Sequence, residues 1–247
     1  MAVAAMPLPE LCDVQDRYLA LSRIARERFE GTLGGKLLLQ LGFDATGVAV
    51  ALAGSIAGAA TLCVDGEGEA LRQGLRSGLC DFVVANLDEA LRILKNEVRR
   101  RLAVCVGVTA DPKACLADMV ERGVQPDMLR AGTEAADASR MLAERGALVL
   151  ADEPCVEPNT SLLCWGAAGD AARTMPAVAR IAAEVLDESR SDTQARRRWL
   201  EQSPRYLRRA FGPRQCLRTS AAEARCLVER IRSEVPLAII TREGERP

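Results

Sequence analysis

Short apolar runs alternate with amphipathic stretches through the first 150 residues of the chain. Six of these runs have the length and composition of buried strands: Leu37–Leu41, Ala59–Val64, Phe82–Ala85, Leu102–Val108, Pro126–Leu129 and Ala147–Leu150. Helix-start signals lie between them, at Asn86 with an acid three residues on, and at Asp111 with a proline at the first helical position. Strands that alternate with helices at this spacing predict an α/β fold with a doubly wound, largely parallel, Rossmann-like sheet.

Different patterns flank this alternation. An amphipathic helix is predicted from Asp16 to Phe29, after a loose N-terminal leader. Beyond a turn-rich boundary near residue 155, three helices and two strands are predicted: Ala177–Leu186, Thr193–Gln202, Ser220–Ser233, Ser161–Trp165 and Leu237–Ile240. We therefore expect a leader and helix at 1–30, a Rossmann-like domain at 31–155, and a smaller α-rich or α/β extension at 156–247.

Residues 36–65 have the layout of a dinucleotide-binding βαβ unit. The strand Leu37–Leu41 leads into the turn Gly42-Phe43-Asp44-Ala45-Thr46-Gly47, a small-residue helix follows, and the second strand ends at Asp65. In such units glycines let the backbone approach a pyrophosphate at the helix N-terminus, and the acid binds the ribose hydroxyls. Asp44 stands at the middle glycine position, where it adds bulk and negative charge. The pattern predicts either a nucleotide site or a structural βα turn without a ligand.

Composition narrows the classes of function. A net charge of -1 gives no overall basic field, so we do not expect nucleic acid as a partner. The absence of histidine excludes Ser-His and Cys-His catalytic pairs and histidine metal ligation, and we assign no catalytic or metal-binding residue. Nine cysteines without C-x-x-C spacing indicate reduced thiols and a cytoplasmic location. No stretch predicts a membrane span or a signal peptide.

An arginine-rich region lies towards the C-terminus: Arg196, Arg197, Arg198, Arg205, Arg208, Arg209, Arg214 and Arg218. Such a region can bind an anion or a nucleic acid. A solvated helix face, or pairing with acidic residues elsewhere in the fold, is the more frequent arrangement, and it is the interpretation that we favour.

Five segments, taken in order, resemble the urocanase (urocanate hydratase) family. They are Ala25–Leu37, Gly58–Asp65, Gly78–Asp81, Leu87–Leu91 and Arg122–Asp127, and the resemblance covers roughly residues 15–138. A weaker similarity to the family's core domain continues at Trp165–Asp170 and Ser203–Glu243, where a strand precedes Arg242. The chain thus resembles a divergent and truncated member of that family.

The resemblance implies an NAD site, because in that family a tightly held NAD acts as an electrophile on the substrate ring. The candidate cofactor-binding residues are Gly42, Phe43, Asp44, Thr46, Gly47, Asp65, Asp111 and Thr133. The chain also departs from the family. Asp44, Ala45 and Val48 stand where the family has glycines, a Gly-Asn element becomes Ala110-Asp111, and an Asp-Gln-Thr-Ser-Ala-His run becomes residues 131–136.

We therefore expect a urocanase-like Rossmann-fold protein that binds NAD or another nucleotide and lacks urocanate hydratase activity. One alternative is a non-catalytic structural or interaction protein that keeps only the fold. Another is an enzyme that acts on an unidentified small substrate. The family resemblance and the alanine-rich helices favour a homodimer.

Overall fold

The computed structural model describes residues 8–130, 136–154 and 157–242. The helices in this part of the chain are α1 (Leu11–Arg28), α2 (Ala45–Ala57), α3 (Gly68–Arg76), α4 (Leu87–Arg100), α5 (Pro112–Glu121), α6 (Ala136–Glu144), α7 (Ala171–Val185), α8 (Thr193–Phe211) and α9 (Ala221–Glu234). The strands are β1 (Leu37–Leu41), β2 (Ala60–Asp65), β3 (Phe82–Val84), β4 (Val104–Thr109), β5 (Met128–Arg130), β6 (Leu148–Val149), β7 (Thr160–Ala167), β8 (Arg214–Ser220) and β9 (Ala238–Arg242).

The first six strands form one parallel sheet in the order β3-β4-β2-β1-β5-β6. The central strand β1 pairs with β2 on one side, where Leu39 lies opposite Leu62, and with β5 on the other, where Gln40 lies opposite Arg130. The strand order therefore reverses between β1 and β5. The position beyond the carboxyl ends of these two strands is the topological switch point of the sheet. The predicted doubly wound, Rossmann-like sheet is confirmed.

Helices cover both faces of this sheet. Leu38, Cys63 and Met128 belong to an apolar cluster with residues of α1, α2 and α3, whereas Leu39 and Leu62 belong to a second cluster with α4, α5 and α6. Every residue of α2 from 47 to 56 is buried. Contacts with β1, β2, α1 and α8 enclose this helix, which explains why its sequence is apolar on all sides.

The C-terminal part contains an antiparallel sheet in the order β8-β7-β9, with α7, α8 and α9 packed against it. Two prolines lie inside its helices, Pro176 in α7 and Pro204 in α8. The helix α7 begins before its predicted start at Ala177, and α8 continues past its predicted end at Gln202, so each helix includes a proline that lay outside its predicted bounds. The strand β8 and the helix α3 were not predicted. An α/β extension of this kind agrees with the expected fold class.

The helix α1 begins at Leu11, earlier than predicted, and joins the two sheets. The buried carboxylate of Asp16 accepts from Arg218 of β8 at two atoms, Nε at 2.8 Å and Nη2 at 2.7 Å. The neighbouring Gln15 accepts the backbone N–H of Arg218 through Oε1 at 2.9 Å. The helix α1 also packs against α2, which lies on the parallel sheet. It therefore contributes to the packing of both sheets.

Several members of the arginine-rich region pair with acids. Arg196 is fully buried, and its Nη1 lies 2.9 and 2.8 Å from the two carboxylate oxygens of Glu223. Arg197 forms an ion pair with Glu188, and Arg218 forms the pair with Asp16 described above. For these three arginines, pairing with acids elsewhere in the fold is confirmed.

The cysteines in the described residues are free thiols. Cys105 lies between two others, with its Sγ 3.8 Å from that of Cys63 and 3.6 Å from that of Cys80. The hydrogen bond to Cys105 and burial raise the pKa of Cys80, which keeps it a neutral packing residue at physiological pH. Among the described helices, none combines the length and apolar character that crossing a bilayer requires.

Candidate functional site

The predicted turn lies at the carboxyl edge of β1, in the centre of the parallel sheet. Gly42 has φ +78, a left-handed conformation that glycine adopts without strain, and its N–H donates to the carbonyl of Val64 at 2.8 Å. A Cβ at Gly47 would clash with the carbonyl oxygen of Gly42. The turn itself therefore favours both glycines, Gly42 for its positive φ and Gly47 for its close approach to the backbone.

Asp44 is the N-cap of α2. Its Oδ1 accepts the backbone N–H of Gly47 at 2.7 Å, and the residue is otherwise exposed to solvent. Aspartate is a favoured N-cap because its carboxylate satisfies one of the free N–H groups of the first helical turn. The same N–H groups would face a pyrophosphate in a dinucleotide site. The turn with Asp44 in this position does not fit a diphosphate, because one anion already occupies the helix N-terminus.

Asp65 reaches the turn from the end of β2. Its Oδ2 accepts the N–H of Phe43 at 2.7 Å, and its Oδ1 accepts the N–H of Glu67 at 2.7 Å. A carboxylate has about four acceptor positions, so two of these remain for ribose hydroxyls. The residue is half-buried at the carboxyl edge of the sheet. Asp65 therefore keeps acceptor positions that could take ribose hydroxyls, whereas the helix N-terminus does not accommodate a diphosphate.

The remaining predicted residues contribute less to a ligand site. The ring of Phe43 is buried in the core, and only its N–H belongs to the site. Thr46 is half-buried in the first turn of α2. Asp111 follows β4 at the same edge of the sheet, where its side chain caps α5. Thr133 lies outside the described residues.

A polar cluster on the other side of β1 was missed by the sequence analysis. Arg130 ends β5, and its Nη2 donates to Oδ1 of Asp152 at 3.2 Å. Arg17 of α1 donates from Nη2 to the backbone carbonyl of Asp152 at 2.7 Å. Gln40, next to Arg130 in the sheet, is fully buried and donates to the carbonyl of Gly42 at 3.0 Å. A polar residue within or ending an apolar strand run is the signal that points to Gln40 and Arg130.

A comparison with models of protein families matches residues 14–141 to the urocanase Rossmann-like domain. The match covers more than half of the chain, from α1 into α6. It includes the turn 42–47, Asp65 and Asp111, together with Arg17 and Arg130. The antiparallel sheet lies outside the matched residues.

Proposed function

The chain belongs to the urocanase family, and from this premise we propose that it binds an adenosine-containing nucleotide weakly, without catalysing urocanate hydration. The observation that carries the proposal is the contact between Asp65 and the N–H of Phe43 at 2.7 Å. This contact holds the carboxylate of Asp65 against the glycine turn, at the carboxyl edge of the sheet. An acid in this position binds the ribose hydroxyls in dinucleotide-binding folds. The Rossmann-like domain of the family is the NAD-binding one, which supports a nucleotide as the ligand.

Asp44 limits the affinity for the diphosphate part of a dinucleotide. Two unit charges of the same sign at 4 Å repel by roughly 1 kcal/mol in water and by about 4 kcal/mol near a protein surface. Asp44 is exposed, so the repulsion belongs towards the lower end of that range. We therefore propose that adenosine binds through Asp65, and that AMP and NAD, whose phosphates meet the charge of Asp44, bind no more tightly than adenosine does.

Loss of urocanate hydration is supported by the residues that follow β5. The family's Asp-Gln-Thr-Ser-Ala-His run is replaced here by residues 131–136, and the chain contains no histidine. Turnover of urocanate by the purified protein would contradict this part of the proposal.

Titration calorimetry with NAD, AMP and adenosine tests the nucleotide site. Asp44→Asn keeps a capping side chain and removes the charge, so NAD should bind about tenfold more tightly while adenosine binds as before. Asp170→Asn is the matched control, since it makes the same change at the N-cap of α7, in the C-terminal part of the chain. Absence of binding for all three ligands, in both the wild type and folded Asp44→Asn, would overturn the proposal.

A non-catalytic structural or interaction protein is the second candidate function. It is favoured by the bond from Gly47 to Asp44, which satisfies one free N–H group of the N-terminus of α2 without any ligand. Under this alternative, Asp44→Asn gains no nucleotide affinity. The same titration therefore separates the two functions.

A further inference from the structure

Two guanidinium groups meet at the carboxyl end of β5. The Arg130 side chain is only 11% exposed, Arg17 is half-buried, and Nη2 of each lies against Asp152. The Asp152 side chain is 66% exposed, so its carboxylate is largely solvated. A solvated carboxylate interacts weakly, and this one supplies a single oxygen at 3.2 Å to Arg130.

The arginines keep unused hydrogen-bond donors in the interior. Nε of Arg17 and Nε of Arg130 are both buried without a hydrogen-bond partner in the described part of the chain. Oε1 of Gln40, the neighbour of Arg130 in the sheet, is a third such atom. Buried polar groups are nearly always paired in native proteins. Three unpaired buried atoms close to the carboxyl ends of β1 and β5 therefore need an explanation.

The charges around Arg17 also favour an anion at this position. Burial and the nearby charge of Arg130 lower the pKa of Arg17, although Asp13, Asp152 and Asp44 act in the opposite sense. Two guanidinium groups that are largely removed from water, and that have only a solvated carboxylate beside them, favour an anion that interacts with them more strongly.

We infer that Arg17 and Arg130 form a binding site for an oxyanion, the carboxylate or phosphate group of a small ligand, which exchanges with the carboxylate of Asp152. The guanidinium fork binds such groups through paired N–H donors and is always charged. Asp152 lies on the solvent side of the pair, so the incoming anion takes its place. The ligand then offers two or more oxygens where Asp152 offers one.

The two arginines lie next to the nucleotide site proposed above but are not part of it, since that site depends on Asp65 and the turn after β1. Arg130 lies on β5 and Asp65 on β2, with β1 between them. Anion binding therefore requires no adenosine. The position at the switch point of the sheet is where α/β proteins bind ligands beyond the carboxyl ends of their strands.

Titration calorimetry of the full chain at low salt, with inorganic phosphate and with succinate, tests the inference. The wild type should bind at least one of them saturably, and the preferred anion distinguishes a phosphate from a carboxylate ligand. Arg17→Met and Arg130→Met should each weaken binding by about tenfold or more. Asp152→Asn, which removes the competing carboxylate, should strengthen it. Arg92→Met, an exposed arginine on α4, is the control and should leave binding unchanged.

The inference is overturned if neither the wild type nor Asp152→Asn binds either anion, or if the folded arginine variants bind as tightly as the wild type. Asp152→Asn changes an exposed residue and should fold, so its titration still tests the inference if Arg130→Met does not fold. Adenosine carries no phosphate or carboxylate, so its titration reports on the nucleotide site alone, whereas inorganic phosphate and succinate report on the arginines. Failure of one proposal is therefore distinguishable from failure of the other.

Discussion

The backbone N–H of Phe43 donates to Oδ2 of Asp65 at 2.7 Å, which ties the end of β2 to the turn after β1. The other carboxylate oxygen holds the N–H of Glu67 at the same distance. The acid in the ribose-binding position is thus also a structural part of the turn. Its loss should affect stability as well as ligand binding.

Asp65→Ala should lower the free energy of unfolding by about 1–3 kcal/mol, because two backbone N–H groups lose a charged acceptor. Denaturant unfolding measures this change, and hydrogen exchange should become faster at the amides of Phe43 and Glu67. Glu188→Ala is the control. It removes an exposed ion pair with Arg197 and should cost less than about 1 kcal/mol. Equal costs for the two variants would contradict the structural role of Asp65.

The cap at Asp44 predicts a graded series. Asp44→Ala should destabilise the protein by about 1 kcal/mol, whereas Asp44→Asn should be close to neutral, since asparagine caps helices as well as aspartate. Urea unfolding of the two variants checks the difference. If asparagine costs as much as alanine, the interaction of the charge with the helix dipole matters more than the hydrogen bond to Gly47.

Gly47→Ala should be strongly destabilising, by about 1–3 kcal/mol or more, because the added methyl group meets the backbone oxygen of Gly42 and neither element can move freely. Gly66→Ala is the matched control, since no atom lies within 4 Å of a Cβ there. Thermal unfolding of both variants should show a lower midpoint for Gly47→Ala alone.

The buried pair of Glu223 and Arg196 predicts acid sensitivity. Burial alone would raise the pKa of Glu223, but hydrogen bonds from Arg196 and from the backbone N–H groups of Asp187 and Ser220 outweigh it, and the pKa is lowered. The unfolded state, with a pKa of about 4.3, then binds the proton more readily than the folded state. The stabilisation is present above that pH and is lost as the pH falls towards the folded-state pKa.

Glu223→Gln should reduce the free energy of unfolding at pH 7 by about 1.5–3 kcal/mol, because the buried charge of Arg196 loses one of two carboxylate partners and keeps Asp192 at 3.2 Å. The stability of this variant should also change less than that of the wild type between about pH 5 and 3. Denaturant unfolding over this pH range measures both effects. Glu121→Gln, at an exposed acid of α5, should reproduce the wild-type profile.

The sequence was sufficient for the parallel sheet and for most of the turn. Apolar runs of strand length, the cap at Asp111 and the glycines at 42 and 47 are local features, so their structural meaning does not depend on distant residues. The N-cap at Asp44 is local too. The dinucleotide-binding pattern has a glycine at this position, so that pattern does not predict a capping aspartate.

The other features depend on tertiary contacts. Pro204 lies within α8, because the packing of Leu200 and Leu207 in the core outweighs the loss of one backbone hydrogen bond. Arg17 and Arg130 lie far apart in the sequence and come together only in the folded chain, where both donate to Asp152. The local sequence marks Arg130 as a polar residue at the end of an apolar run, but it does not show that Arg17 is its neighbour.

The ion pair between Asp16 and Arg218 joins residues that are 202 positions apart. Contacts at such a separation form late in folding, because closing a long loop costs entropy before any contact offsets it. The helix α1 therefore cannot complete its packing before β8 is in place. Its buried acid acquires a partner only when the antiparallel sheet exists, which couples the packing of α1 beside the parallel sheet to the folding of the C-terminal part.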